Sequence, residues 1–139
     1  MIVLDTNVLS VLMHDAPDPA VIAWLDGETI ESVWTTTITT FEVRLGLEAM
    51  PEGRRRARLE AAFERVVSED LQDRVLPFDR EAANAAARLG AIRRLSGRPV
   101  EIRDSQIAGI VAMRRATLAT RNVRDFEGLD LRVVNPWSP

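Results

Sequence analysis

Ile2, Val3 and Leu4 form a short, unbroken apolar run rich in β-branched residues, and Asp5 follows directly. Such a run reads as a strand buried on both faces, the kind found at the centre of a parallel sheet. Thr6 and Asn7 are good helix-starting residues, so the strand should pass straight into a helix. Ligands of open α/β sheets bind beyond the carboxyl ends of the strands. Asp5 therefore places a carboxylate where such folds do their chemistry.

The remainder of the chain repeats the alternation. Val8, Leu9, Val11, Leu12 and Met13 make a short apolar helix, and Asp18-Pro19 looks like the cap and first residue of a second one that stops at Gly27. Residues 33–37 read as the second strand, 39–50 as a helix, and 53–70 as a longer helix with an apolar stripe of Leu59, Phe63, Val66 and Val67. A third strand at 75–78 precedes an alanine-rich helix capped by Asp79. Arg103-Asp104-Ser105 opens another helix, 117–120 is the fourth strand, 122–126 a helical turn, and 131–134 the fifth strand. Strands alternating with helices predict one domain spanning residues 1–139. Its class is α/β, a three-layer α/β/α sandwich around a mainly parallel, five-stranded sheet.

Composition then excludes several chemistries. There is no cysteine, hence no disulfide, thiolate–zinc site or thiol nucleophile. All 18 basic residues are arginine, so a P-loop, which needs its lysine on the phosphates, is excluded. The net charge of -3 does not suit a general nucleic-acid binder. With no signal-peptide pattern and no apolar run of transmembrane length, the expectation is a soluble cytoplasmic protein without a membrane partner.

Four acids stand at element ends. Asp5 follows strand one, Glu42 lies in the first turn of the helix after strand two, Asp104 opens its helix, and Asp125 lies beyond strand four. Each has a purely structural reading. Asp5 could begin a turn, Thr39-x-x-Glu42 fits a capping box, Asp104 could be an N-cap, and Asp125 could favour a helix dipole. Together they say more, because loops after strands one, two and four converge on one edge of a doubly wound sheet. Neighbouring carboxylates repel unless a cation lies between them, and hard oxygen donors favour Mg²⁺ or Mn²⁺. Acids without histidine or cysteine point to metal-assisted phosphodiester chemistry. Metal should then stabilise the protein, and removing a charge, as in Asp5→Asn, should stabilise the metal-free form.

The same residues carry a family resemblance. Met1 to Val8 (MIVLDTNV) resembles the opening of PIN-domain ribonuclease toxins of the VapC type. TTFEVRLG at 39–46, RDSQIA at 103–108 and TRNVRDF at 120–126 resemble the later motifs, and Asn135-Pro136-Trp137 resembles the tail of FitB-like toxins. The match runs through the whole chain in order. It implies an acidic catalytic site of Asp5, Glu42, Asp104 and Asp125, with Asp5 and Asp104 the direct Mg²⁺ or Mn²⁺ ligands. In the fourth motif some relatives carry the acid at the position of Asn122 and others at that of Asp125. Thr6, Asn7, Thr120 and Asn122 are the supporting residues. The resemblance further implies an endoribonuclease acting on RNA, tRNA among its candidates, as the toxin of a type II toxin–antitoxin pair. A homodimer with a small DNA-binding antitoxin as partner goes with it.

Other residues read differently. Arg121 and Arg124 flank the acids and are candidate RNA contacts, whereas Arg54, Arg55, Arg56 and Arg58 crowd a helix start and read as a solvated face. His14 reads as a helix-end residue, Ser105 lacks a base, and Trp24, Trp34 and Trp137 read as core or interface. An antitoxin groove is expected among Val8, Leu9, Leu12, Val21, Trp24 and the 53–70 helix. Two alternatives stand beside the nuclease. A receiver-like phosphoacceptor module would also place an acid after strand one, and a PIN-type domain could bind without cleaving.

Overall fold

A computed structural model describes residues 1–139. The chain runs β1 (Ile2–Leu4), α1 (Thr6–Leu12), α2 (Pro19–Asp26), β2 (Val33–Thr36), α3 (Thr37–Glu48), α4 (Arg54–Arg65), β3 (Val75–Leu76), α5 (Arg80–Leu95), α6 (Ile102–Arg114), β4 (Thr117–Ala119) and β5 (Arg132–Val134). The five strands form one sheet in the order β3-β2-β1-β4-β5. Every pairing is parallel, with Val3 opposite both Trp34 and Leu118.

β1 is the central strand because both of its faces are apolar. Val3 and Leu4 are fully buried but belong to different cores. Leu4 and Ala119 pack against Val8, Leu9, Val21, Val43, Phe63 and Val66 from α1 to α4 and the turn after α4. Val3 and Leu118 pack against Ile107, Ala108, Ile110 and Val111 of α6, with Ala82 of α5. Burial of each large side chain contributes roughly 1.5–3 kcal/mol, so the two-sided strand anchors three layers at once. No helix is long and apolar enough to cross a membrane.

β1 lies between β2 and β4, so the chain leaves the sheet in opposite directions on either side of it. This is the topological switch point at which open sheets bind ligands. Thr35 Oγ1 closes the top of β2 onto β1 by donating to the Leu4 carbonyl at 3.0 Å. α6 is brought close to α5 by Gly109, where an added Cβ would run into Ala82 O and lie 2.7 Å from Ala86 Cβ. That small-residue contact sets the height of α6, and with it the position of Asp104.

Several local expectations are corrected. β3 holds two residues, not four, because Pro77 has no amide to donate and the Phe78 amide bonds Thr37 Oγ1 at 3.1 Å instead of the sheet. α3 starts two residues earlier than expected. Its cap is Thr36, whose Oγ1 accepts the Thr39 amide at 3.1 Å. Glu42 thus sits in the second turn and closes no capping box. α6 is capped by Glu101, whose Oε2 accepts the amides of Arg103 and Asp104 at 2.9 and 3.3 Å, so Asp104 is not the cap. The 53–70 helix forms, but its last turn, Val66–Asp70, is a π-helix closed by the Leu71 amide on Val66 O at 2.8 Å. Val8, Leu9 and Val21 are fully buried in the core and offer nothing to a partner, which removes half of the expected groove. Arg56 is no free surface charge either. It bonds Glu48 and Glu60 at 2.9 and 2.6 Å and fastens α3 to α4.

Candidate active site

Asp5 is the most constrained of the acids. It is the N-cap of α1, and Oδ1 accepts the Thr6 amide at 2.8 Å. Oδ2 accepts the hydroxyl of the fully buried Thr120 at 2.7 Å and the Asn7 amide group at 3.5 Å. Thr120 Oγ1 in turn accepts Asn7 Nδ2 at 3.3 Å and the Asn122 amide at 3.1 Å, and Asn7 Oδ1 accepts the Arg121 amide at 3.1 Å. The ends of β1 and β4 are thereby laced together by side chains. Burial pushes the Asp5 carboxyl up from its ordinary value, Thr120 and Thr6 hold it down, and the charge of Asp125 adds to the rise.

Asp104 faces the same space from the start of α6 and is held quite differently. Its carboxyl is pushed up to about 7, first by burial and then by the charges of Asp5, Asp125, Glu101 and Glu42. None of the site's hydrogen bonds ends on its oxygens. Glu42 reaches in from α3 and is also raised, by burial first, with Arg103 opposing and Asp5 adding to the rise. Arg103 Nη1 lies 3.9 Å from Glu42 Oε2, while its Nε lies 3.5 Å from Glu101 Oε1. Asp125 is exposed, in the 3₁₀ turn Val123–Phe126, and its charge acts on both Asp5 and Asp104. Asn122 contributes its backbone amide to Thr120. Arg124 is exposed in the same turn.

The four acids therefore share one electrostatic environment. They do not close on a point, since no three acidic or histidine side chains converge tightly enough to hold an ion together. The donor set nonetheless suits a hard divalent cation. It offers only oxygens, and its charges repel one another without a cation. Thr6 Oγ1, beside the site, is the one buried side-chain polar atom without a hydrogen-bond partner. It lies close enough to Glu42 to favour that residue's charged form.

The fold and the sequence have relatives. The sequence model of the PIN domain matches residues 2–130. The chain belongs to the PIN-domain family. It is similar to the VapC ribonuclease Y4jK of Sinorhizobium fredii, 42% identical over 100% of this chain and 99% of that protein. It is also similar to toxin FitB of Neisseria gonorrhoeae, 34% identical over 99% of each. Among solved structures, a chain of FitAB bound to an IR36 DNA fragment superposes with a TM-score of 0.90. It is 33% identical, over 100% of this chain and 97% of that one. Membership of the PIN family displaces the receiver-like reading.

Within this PIN domain, one residue supports the site unannounced by any motif. Arg93 of α5 is buried, at 6% exposure, and has no carboxylate partner. Its Nη1 donates to the carbonyls of Asp125 and Glu127, both at 2.9 Å, and its Nε to that of Arg98 at 2.8 Å. It clamps the turn that carries Asp125. The available signal was periodicity, for Arg93 continues the face of Ala82, Ala86 and Leu89 at helical spacing and so points inward. Ser105 and His14 take no part: the Ser105 hydroxyl donates to Ile102 O at 2.6 Å, and His14 is exposed.

Proposed function

We propose that this PIN domain is a Mg²⁺- or Mn²⁺-dependent endoribonuclease, the toxin of a type II toxin–antitoxin pair acting in the cytoplasm. The observation that carries the reading is the gathering of Asp5, Glu42, Asp104 and Asp125 at the switch point of the sheet, near enough that the other three add to the rise that burial starts on the Asp104 carboxyl. A cation beside such a group would stabilise its charged form and offset the repulsion of its neighbours. Relatives called VapC ribonuclease and toxin FitB support the same reading. Solved neighbours, one a FitAB complex on DNA and one a VapBC toxin–antitoxin pair, support a small antitoxin partner of DNA-binding type; a homodimeric toxin is part of the same reading.

Asp5 and Asp104 would hold the ion, with Glu42 and Asp125 completing the acidic shell. Bound there, a divalent cation supplies Lewis-acid activation of water and countercharge for the phosphodiester transition state. The chain's own residues do the positioning. Thr120, Asn7 and the Thr6 amide fix the Asp5 oxygens. The Thr6 hydroxyl favours the charged form of Glu42, and Arg121 and Arg124 stand by for the RNA backbone. No side chain is placed to act as nucleophile. The test is cleavage of a tRNA pool by purified protein, with Mg²⁺, with Mn²⁺ and with excess chelator. Metal-dependent cleavage that Asp5→Asn and Asp104→Asn abolish bears the proposal out. Cleavage that survives chelation overturns the metal role. Absence of cleavage alongside intact RNA binding favours the non-cleaving PIN reading.

A further inference from the structure

After β5 the chain turns on Asn135, whose Oδ1 accepts the Trp137 amide and whose carbonyl accepts the Ser138 amide, both at 3.0 Å. The turn lays Trp137, partly buried, against the core under α1 to α4. Over its ring stands Arg121, the guanidinium carbon 4.9 Å from the ring centroid. Arg121 directly follows Thr120, the residue that grips Asp5, and its amide is held by Asn7. The β4–β5 pairing continues here, with the Thr120 amide on Val134 O at 2.9 Å. An exposed arginine is thus restrained at backbone and head group, immediately beside the acidic site. It belongs to none of the chain's ion pairs.

Stacking on an indole uses the face of the guanidinium and leaves its in-plane N–H fork free. A fork held in place loses less freedom on binding than a mobile one, so its contact is worth more. The group that matches it is a planar pair of anionic oxygens, and beside a phosphodiester-cleaving site that means a neighbouring backbone phosphate. We infer that Arg121 binds an RNA phosphate adjacent to the scissile one, and that Trp137 is a positioning residue acting through Arg121, which makes the turn after β5 part of the substrate site. This rests on the nuclease reading above.

The test separates the two. In an Asp104→Asn background, where cleavage is blocked, binding of a fluorescein-labelled RNA hairpin is followed by anisotropy across a salt series. Arg121→Ala should weaken binding about tenfold and lower the slope of log Kd against log salt by about one, as loss of one phosphate contact requires. Trp137→Leu should weaken it about two- to fivefold, the scale of one surface cation–π contact, while Trp137→Phe retains most of it. The Trp137→Leu/Arg121→Ala double variant should bind no worse than Arg121→Ala alone. In the active protein, both single variants should raise KM and leave kcat within about twofold, a change in uniform binding. Binding by the parent that is indifferent to Arg121→Ala, or additive losses in the double variant, overturns the inference and spares the nuclease. If the parent binds no hairpin and the wild type cleaves no RNA, both fall together.

Discussion

The site has two halves built on opposite principles. At the ends of β1 and β4, Asp5 is fixed by Thr6, Thr120 and Asn7, whose donors offset part of the rise that burial imposes on its carboxyl. At the start of α6, Asp104 has no donor and four acids acting on it. The first half is partly relieved by donors within the fold; the second has none, and only a proton or a cation relieves it. The difference teaches that equal acids in a motif are unequal in energy, and that substitution should tell them apart.

Activity should show the largest effect. Asp104→Asn should lower RNA cleavage by at least about a thousandfold, roughly 4 kcal/mol of transition-state stabilisation at the proposed cation site. The same variant should raise the melting temperature in chelator, because it removes a repelled charge. A steady-state rate within tenfold of wild type would break the comparison at its active half.

The next effect concerns the platform under Asp104. Gly109→Ala forces a methyl onto the backbone of α5, so it should destabilise by about 3 kcal/mol in denaturant titration, the upper range of core overpacking. A variant as stable as wild type would show that α6 is not seated by this contact. Asp5→Asn comes next. Charge counting alone has it stabilise the metal-free protein, but its oxygens accept three hydrogen bonds and an amide nitrogen can accept none. It should therefore destabilise by about 1–2 kcal/mol even in chelator. Stabilisation by this variant would make the two halves alike.

The last effect is on pH dependence. Between the ordinary carboxylate value of 3.8 and about 7, folded Asp104 holds a proton that the unfolded chain has released. Stability from this group therefore falls as pH rises through that window and is constant above it. Melting temperatures in chelator at several pH values should show wild type losing more stability than Asp104→Asn between acid and neutral pH. Parallel curves would remove the tension from the account.

Much of this was legible in the residues. The apolar run before Asp5 located the central strand, because only a two-sided burial accommodates it, and the four acids were visible at element ends. What misled was local capping. Thr35, Thr36, Thr37, Thr39 and Thr40 are all competent caps, and only the reach of β2 decides that Thr36 serves. Glu101 is an unfavoured cap residue, so the eye passes on to Asp104. The clamp of Arg93 and the close approach at Gly109 depend on which helices meet, which periodicity suggests but pairing alone fixes. The inequality of Asp5 and Asp104 was illegible, since it arises from neighbours far away in sequence.

The most direct test of that inequality is to follow the Asp104 carboxyl carbon by NMR through a pH titration, with and without Mg²⁺. The account predicts a midpoint near 7 in chelator, moving down toward the ordinary carboxylate range when Mg²⁺ is added and when Asp5→Asn removes a neighbouring charge. A midpoint near 4 that neither Mg²⁺ nor Asp5→Asn moves would contradict it, because Asp104 would then stand apart from the other acids and no shared cation site would exist.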